Sequence, residues 1–329
     1  MNTAPVPAAT SGARTLPARA ADVLAAAVDA PRDARARTAL CDAVPADRRD
    51  RFETLLTVYD LATGPLDDVG DAARLVGTPE LSTLKNRLEA DWLAELEALP
   101  LPADLTGDTV EAMRTLAARN RLPRVYRWLA NDASREELVH FLAVEGGPDS
   151  GFDDLVAVCQ IGLFGSPKME MAQNYWDEMG NGALSGVHTT LHAQMTEAIG
   201  MPRLPRSELP VEALERTALG GLLATNRWLQ PEMVGALGMI ELQAGPRCRL
   251  VVKGFDRVGI PRAAYPFYEV HAEVDPRHGK DWLDKVITPL VTEQPQWRAR
   301  MVRGAWWRVT TNASLFDLLG EQLAVASAV

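Results

Sequence analysis

The chain contains few cysteines and few histidines. Its three cysteines, Cys41, Cys159 and Cys248, are odd in number, lie far apart in the chain of 329 residues and form no CxxC pair. They therefore favour neither a disulfide framework nor a zinc knuckle, and a reducing cytoplasmic location is expected. Because the chain has only five histidines, two histidines on one helix face are informative.

The sequence also lacks an excess of positive charge and a long apolar run. Its formal net charge is −10 at pH 7, whereas nucleic-acid binding requires a concentrated basic surface, so no nucleic-acid partner is expected. No segment approaches the roughly 20 apolar residues that span a bilayer, so no membrane association is expected. Residues 1–17 are rich in Ala, Pro and Thr but lack an apolar core. They are expected to be disordered rather than to form a signal peptide.

Alternating runs rich in Val, Ile and Thr are nearly absent, whereas apolar residues recur every three or four positions. This pattern predicts an all-α fold. Helices are expected over residues 81–96, after a capping box at Ser134 and Glu137, after an N-cap at Ser166 followed by Pro167, and over about 231–241. Residues 99–107 carry two prolines and a glycine. This interruption predicts a boundary between an N-terminal helical region, 18–104, and a main domain, 105–329.

The most informative motif is His271-x-x-x-Asp275-x-x-His278. On a helix these three side chains lie within roughly 60° of one another, and imidazole with carboxylate suits iron, manganese or zinc. A polar face exposed to solvent is the alternative explanation. Pro276 lies inside the motif, so we expect the helix to kink or restart at Asp275, which would then act as an N-cap instead of a ligand. In the metal-free protein, residues 271–280 are expected to be poorly ordered or locally unwound.

Further candidate ligands lie upstream. Glu178 precedes His188 by ten residues, and on an unbroken helix the two would be about 15 Å apart. Three intervening glycines, Gly180, Gly182 and Gly186, permit a bend that brings both side chains inward. A bent helix with Glu178 merely solvated is the alternative. His192, one turn after His188, is a competing ligand.

Two more glutamates follow apolar segments. Glu241 is the only charged residue of the stretch 233–242, and an isolated buried carboxylate is costly unless it is paired or binds a metal. It is therefore a candidate ligand, with a salt bridge to an arginine as the alternative. Glu145 also follows an apolar stretch and is therefore a candidate additional ligand. Because it ends its helix, a glutamate that faces water is the alternative.

Taken together, the set Glu178, His188, Glu241, His271, Asp275 and His278 resembles the ligands of the haem-oxygenase-like diiron oxidases, or iron-containing redox enzymes. The resemblance covers residue type, order and approximate spacing over residues 110–329. It implies a bundle of about seven helices that holds two iron ions and uses dioxygen as co-substrate. One iron would bind Glu178 and His188, and the other would bind the histidines of the last motif. Glu241 and Asp275 would bridge or chelate the ions.

Within that family the chain is most similar to the N-oxygenases, which share the ten-residue spacing, an N-terminal helical dimerisation region and an extra glutamate ligand that Glu145 would match. The resemblance therefore implies a cytoplasmic homodimer of specialised metabolism. This mono-oxygenase would convert a small amine, guanidine or amino-azole to a hydroxylamine, nitroso or nitro product. An external reductant, a reductase or a ferredoxin, would supply electrons. The alternatives are oxidative C–C cleavage or desaturation of an amino acid or fatty acid, and a metal-free helical scaffold.

Substrate contacts leave weaker signals in the sequence. Tyr175, Trp176 and Asn181 lie close to the ligands in sequence and are candidate pocket residues, although Trp176 at helical spacing also suits a core. A second group combines four arginines with two tryptophans and is expected to form a basic face or a subunit contact, with carboxylate binding as the alternative. Its members are Arg298, Arg300, Arg303, Trp306, Trp307 and Arg308.

Overall fold

A computed structural model describes residues 18–146 and 151–326, and the expectation for residues 1–17 lies outside this range. Within the described residues the chain is helical and forms no strand, which confirms the all-α prediction. The first five helices are α1 (Ala20–Asp29), α2 (Ala34–Ala39), α3 (Arg48–Thr63), α4 (Leu66–Val69) and α5 (Pro79–Glu97). The next five are α6 (Thr109–Arg119), α7 (Arg124–Asn131), α8 (Arg135–Glu145), α9 (Phe152–Cys159) and α10 (Gly165–Glu178).

The remaining helices are α11 (His188–Ile199), α12 (Val211–Thr225), α13 (Gln230–Val258), α14 (Pro266–Asp281), α15 (Thr288–Glu293) and α16 (Arg298–Ala326). A π-helical segment, Trp282–Ile287, joins α14 to α15. Among the described residues, no helix combines the length and apolar character needed to cross a bilayer.

Several helix boundaries follow from local sequence. Ser134 and Glu137 form the predicted capping box at the start of α8, and the helix predicted over 81–96 is α5. The prediction of an N-cap at Ser166 is wrong, because α10 begins at Gly165 with Phe164 at the cap position. Pro167 is then the third residue of the helix, where a missing backbone N–H breaks no helical hydrogen bond.

The first five helices pack on the rest of the chain through α12 and α16. Tyr59 of α3 lies so close to Gly221 of α12 that a Cβ at Gly221 would be 2.2 Å from the ring. The Trp92 indole donates to Glu215, and the Trp307 indole donates to the Leu96 carbonyl. The buried apolar core therefore runs without a break from the N-terminal helices into α12 and α16. The expected boundary near residue 104 remains a prediction.

The long helix α13 is the centre of the bundle and extends well beyond the predicted 231–241. It packs most extensively on α14 and α16. Close approach to α14 depends on small residues, since a Cβ at Gly245 would lie 3.1 Å from Pro276 Cδ and one at Gly279 would lie 3.1 Å from the Glu241 carbonyl. These contacts bring the helix that carries Glu241 against the helix that carries the His271 motif.

Candidate metal centre

A tight turn joins Glu178, the last residue of α10, to His188, the first residue of α11. Gly180, Asn181 and Gly182 all have positive φ angles, of 60°, 53° and 86°, which is a conformation that favours glycine. The chain then crosses itself so closely that a Cβ at Gly180 would lie 2.4 Å from a backbone carbon of Gly186. As a result, Glu178 Oε2 and His188 Nδ1 are 2.6 Å apart.

Two groups of potential metal ligands share Glu178. The first consists of Glu178, His188 and His271, and the second consists of Glu178, Glu241 and His278. Within each group one ligand atom per residue lies within 4.8 Å of the others. The grouping differs from the expected one, because His271 and His278 fall in different groups and Glu178 occupies the shared position.

The His271 ring is held by its own helix. Its Nδ1 lies 2.6 Å from the Phe267 carbonyl oxygen, so Nδ1 carries the proton and Nε2 is free to bind a metal. The ring packs against His188, with ring centroids 4.5 Å apart. Burial lowers the pKa of His271 to about 4, against the opposing effect of Glu178. His271 is therefore neutral near pH 7, which is the form that binds metal.

The His278 ring is held by a carboxylate that the sequence analysis did not single out. Its Nε2 lies 2.9 Å from Asp177 Oδ2, and its Nδ1 lies 3.5 Å from Glu241 Oε2. Burial lowers the pKa of His278, but the carboxylates of Glu241 and Asp177 outweigh this and raise it to about 9. A ligating histidine commonly donates its second N–H to such a carboxylate, so this arrangement presents Nδ1 to a metal.

Helix α10 supplies further support for these ligands. Asn174 donates to Glu241 Oε1 at 2.7 Å, and Gln173 donates to Asp177 Oδ1 at 3.0 Å. Arg277, whose side chain is largely exposed, donates to Asp177 Oδ2 at 2.7 Å. Glu241 thus accepts a hydrogen bond from an amide, and the alternative of an arginine salt bridge is not observed among the described residues. The spacing Asn174-x-x-Asp177-Glu178, one face of a ligand-bearing helix, was the available sequence signal.

Asp275 is deeply buried, and its Oδ2 has no hydrogen-bond partner among the described residues. Burial, with the nearby negative charges of Glu241 and Glu178, raises its pKa well above the usual range. The prediction that the helix restarts here is wrong, because α14 continues through Pro276 and leaves α-helical geometry only at Trp282. Asp275 is therefore not an N-cap, and the expected disorder or unwinding of residues 271–280 in the metal-free protein remains a prediction.

An arginine from α13 explains why α14 tolerates its proline. Pro276 has no N–H, so the carbonyl of Ala272, four residues earlier, loses its helical donor. Arg249 Nη1 donates to this carbonyl at 2.6 Å. The hydrogen bond that the proline removes is thus replaced from the neighbouring helix, and Asp275 stays on the same face as His271 and His278.

The chemistry of this site fits iron. Asp275 Oδ2 is buried and has no hydrogen-bond partner among the described residues, and the buried His188 Nδ1 and His278 Nδ1 lie 2.6 and 3.5 Å from the carboxylates of Glu178 and Glu241 without a well-aligned hydrogen bond. Such atoms are costly in an apolar interior unless another ligand satisfies them. A set of carboxylates and imidazoles on facing helices is also the donor type that holds pairs of iron ions in helical bundles.

Two other sequence candidates lie outside both ligand groups. Glu145 Oε1 accepts hydrogen bonds from Tyr126 at 3.1 Å and from Arg216 at 3.3 Å. His192 packs its ring on Phe267, with centroids 5.0 Å apart, and does not join His188 in the cluster. One carboxylate that sequence reasoning missed is Asp153 of α9, whose pKa is raised by burial, by Asp154 and by Glu178.

The candidate substrate residues occupy the outer side of this region. Trp176 is 49% exposed and packs on Gly182, so it is not a core residue. Asn181 is exposed and contributes its left-handed backbone conformation to the turn. Tyr175 is partly buried against the apolar core. Their assignment to a substrate pocket remains a prediction.

The arginine and tryptophan group on α16 binds a carboxylate of the chain itself. Arg300 forms a bidentate pair with the fully buried Glu232, at 2.8 and 2.7 Å, and Arg303 contacts the same carboxylate. Trp307 and Arg308 are buried. Arg300 and Arg303 therefore hold α16 against Glu232 of α13 instead of forming a free basic face, and the expected subunit contact remains a prediction.

Comparison with known families agrees with this site. Residues 139–313, more than half of the chain, match the family model described as iron-containing redox enzyme. The matched range includes all six residues of the predicted ligand set. The chain has no match among curated proteins.

Proposed function

The chain belongs to the family of iron-containing redox enzymes, and we propose that it is a diiron, dioxygen-dependent N-oxygenase. Its substrate would be a small amine, guanidine or amino-azole. The observation that carries the proposal is the position of Glu178, which lies in both ligand groups at once. One carboxylate shared by two groups is the arrangement expected when two metal ions lie next to each other.

Two ferrous ions in these groups would supply electrons for the reduction of dioxygen. Three residues outside the ligand groups hold the ligand side chains in position. Asp177 fixes the His278 ring, Phe267 fixes the His271 ring, and Asn174 fixes Glu241. Each of these contacts orients a ligand side chain through a group that is not itself in either ligand group.

Burial of the site excludes water and raises the pKa of Asp275. Glu178, His188, Glu241, Asp275 and His278 are each at most 5% exposed. Glu241 and Asp275 lie close enough for their negative charges to interact. Burial and the charges of Glu241 and Glu178 raise the pKa of Asp275, and cations held beside it would oppose that rise.

The proposed reaction needs an external source of electrons. Conversion of an amine to a hydroxylamine consumes one dioxygen, two electrons and two protons and forms one water, so an external reductant such as a reductase or ferredoxin is required.

We also propose a cytoplasmic homodimer that forms through the N-terminal helices of residues 18–104. The ten-residue spacing of Glu178 and His188, folded here as a tight turn, supports the N-oxygenase subtype.

Iron titration followed by oxygen tests the proposal. Purified protein is loaded anaerobically with ferrous iron, mixed with oxygen and a panel of amines, guanidines and amino-azoles, and the products are identified by mass. A gain of oxygen on nitrogen supports N-oxygenation, and a loss of carbon would indicate oxidative cleavage instead. Absence of both iron binding and oxygen consumption would indicate a metal-free scaffold. The Glu178→Ala variant should lose activity and keep its helicity.

A further inference from the structure

Two neighbouring helices, α7 and α13, present a basic surface although the chain as a whole is acidic. The formal net charge is −10, yet Arg249, Lys253 and Arg257 of α13 are all exposed. Residues four positions apart lie on the same face of a helix, so these cations form one stripe. More exposed arginines lie on α7 and just before it, and together with the stripe we call them the basic surface. They are Arg121, Arg124 and Arg127.

Direct contacts join the two parts of the basic surface. Lys253 Nζ of α13 donates to Asn131 Oδ1, at the end of α7, at 2.8 Å. Arg257 Nη2 donates to the Leu129 carbonyl of α7 at 3.1 Å. The helices approach closely between these contacts, since a Cβ at Gly254 would lie 2.8 Å from the same Leu129 carbonyl. The cations of α7 and α13 therefore belong to one continuous surface.

The cations of the stripe keep their charge because their hydrogen-bond acceptors are neutral. Lys253 donates to an amide, and Arg249 and Arg257 donate to backbone carbonyls. No member of the basic surface forms an ion pair with a residue that the structure describes. Exposed cations elsewhere, such as Arg119 and Lys280, do pair with carboxylates. The basic surface therefore differs from an ordinary charged face, where both signs alternate and neutralise each other.

Three exposed acidic residues lie beside the basic surface without pairing with it. Asp132 follows α7, Asp256 lies on α13, and Glu273 lies on α14. Asp256 accepts a hydrogen bond from Tyr265 at 3.0 Å and forms no ion pair with the described cations around it. A group of unpaired cations produces a local positive potential, which attracts acidic partners and raises their rate of association.

One end of the basic surface reaches the metal centre. Arg249 Nη1 donates at 2.6 Å to the carbonyl of Ala272, the residue that follows His271. One turn earlier on α13, a Cβ at Gly245 would lie 3.4 Å from Asp275 Cβ. The basic surface thus ends about one helix diameter, ~10 Å, from two candidate ligands.

We propose that the basic surface docks an acidic one-electron carrier protein of the ferredoxin type. This inference rests on the proposed function, which requires an external reductant, and it specifies where that reductant binds. Weak electron-transfer partners meet through small interfaces, below about 1,200 Å², and complementary charge speeds their encounter. Each docked carrier loses one electron and is itself oxidised, so two successive dockings return two ferric ions to the ferrous state.

Calorimetry on the iron-loaded protein tests the docking. The probe is an oxidised plant-type [2Fe–2S] ferredoxin, titrated at low salt and at about 0.2 M salt, where surface charges are screened. Arg124→Glu/Arg127→Glu reverses two charges on α7, which carries no candidate ligand, and should weaken binding at low salt about tenfold or more. The matched control is Arg35→Glu/Arg203→Glu, which reverses two exposed cations outside the basic surface. It should change the affinity less than about twofold.

Reduction kinetics provide a second measurement. The oxidised iron protein is mixed, without oxygen, with reduced ferredoxin or with dithionite, a small reductant that needs no docking surface. Arg124→Glu/Arg127→Glu should slow the reaction with ferredoxin and leave the reaction with dithionite unchanged. Its iron content and thermal melting should match those of the wild type, because neither arginine contacts the metal centre.

Several outcomes would overturn the docking surface. They are failure of ferredoxin to bind the wild type, an affinity that does not fall with salt, and equal weakening in the two double variants. Binding of phosphatidylserine vesicles in place of ferredoxin would also overturn it and assign the surface to lipid. The proposed function is tested separately, because carbon loss in the product analysis would refute N-oxygenation and leave ferredoxin docking intact.

Discussion

Asp177 and His278 link α10 to α14 through a contact of 2.9 Å between Oδ2 and Nε2. Asp177 is itself held by Gln173 and Arg277. Burial raises the pKa of Asp177, but its hydrogen bonds to His278 and Gln173 outweigh this and lower it. Asp177 is therefore ionised near neutral pH, and it orients the ring without belonging to either ligand group.

Replacing Asp177 by Asn should weaken iron binding. The amide keeps the shape but loses the charge that fixes the His278 proton on Nε2, and losses of about 10–100-fold are usual for such positions. Iron affinity measured by competition with a chelator checks this. Asp281→Asn, on α14 like His278 and paired with Lys285 at 3.0 Å, is the control and should leave the affinity unchanged. Equal affinities in the two variants would contradict the orienting role.

Glu178 should control binding of both ions. Because it belongs to both groups, Glu178→Ala should bind neither ion tightly, whereas His188→Ala should retain one ion in the group that contains Glu241 and His278. Iron-to-protein ratios by elemental analysis after desalting test this difference. If Glu178→Ala and His188→Ala retained the same amount of iron, the shared position would be disproved.

The metal-free protein should lose stability as the pH rises from about 6.5 to about 9. The pKa of His278 is about 9 in the folded state against an ordinary value of 6.5, so the folded protein binds more protons over this interval. The stabilisation is complete below pH 6.5 and disappears as pH rises through 9. Urea unfolding in the presence of a chelator measures it. The slope should be reduced in His278→Gln, and an unchanged slope would assign the effect to another group.

Arg249 and Pro276 should be energetically coupled. Arg249→Ala removes the donor to the Ala272 carbonyl and should cost about 1 kcal/mol. In a Pro276→Ala background the restored backbone N–H satisfies that carbonyl, so the same arginine substitution should cost less. Unfolding free energies of the four proteins of this cycle provide the test. Additive effects would show that the arginine does not replace the missing hydrogen bond.

Local sequence patterns predicted much of the helical framework. The capping box at Ser134, the break over 99–107 and the apolar periodicity of α5 depend on neighbouring residues, and each is present in the structure. Predictions failed where a distant contact overrides the local preference. Pro276 predicted a break in α14, but Arg249, twenty-seven positions earlier in the chain, supplies the missing donor.

The sequence by itself determined the all-α class and the residue types that could hold iron, because helical periodicity and ligand chemistry depend on short stretches of chain. Only the tertiary structure decided how those residues combine. The crossing at Gly180 and Gly186 brings Glu178 to His188, and close packing at Gly245 brings Glu241 to the last motif. Distances between helices depend on packing against residues remote in sequence, so spacing alone could not show that Glu178 is shared or that Asp177 orients His278.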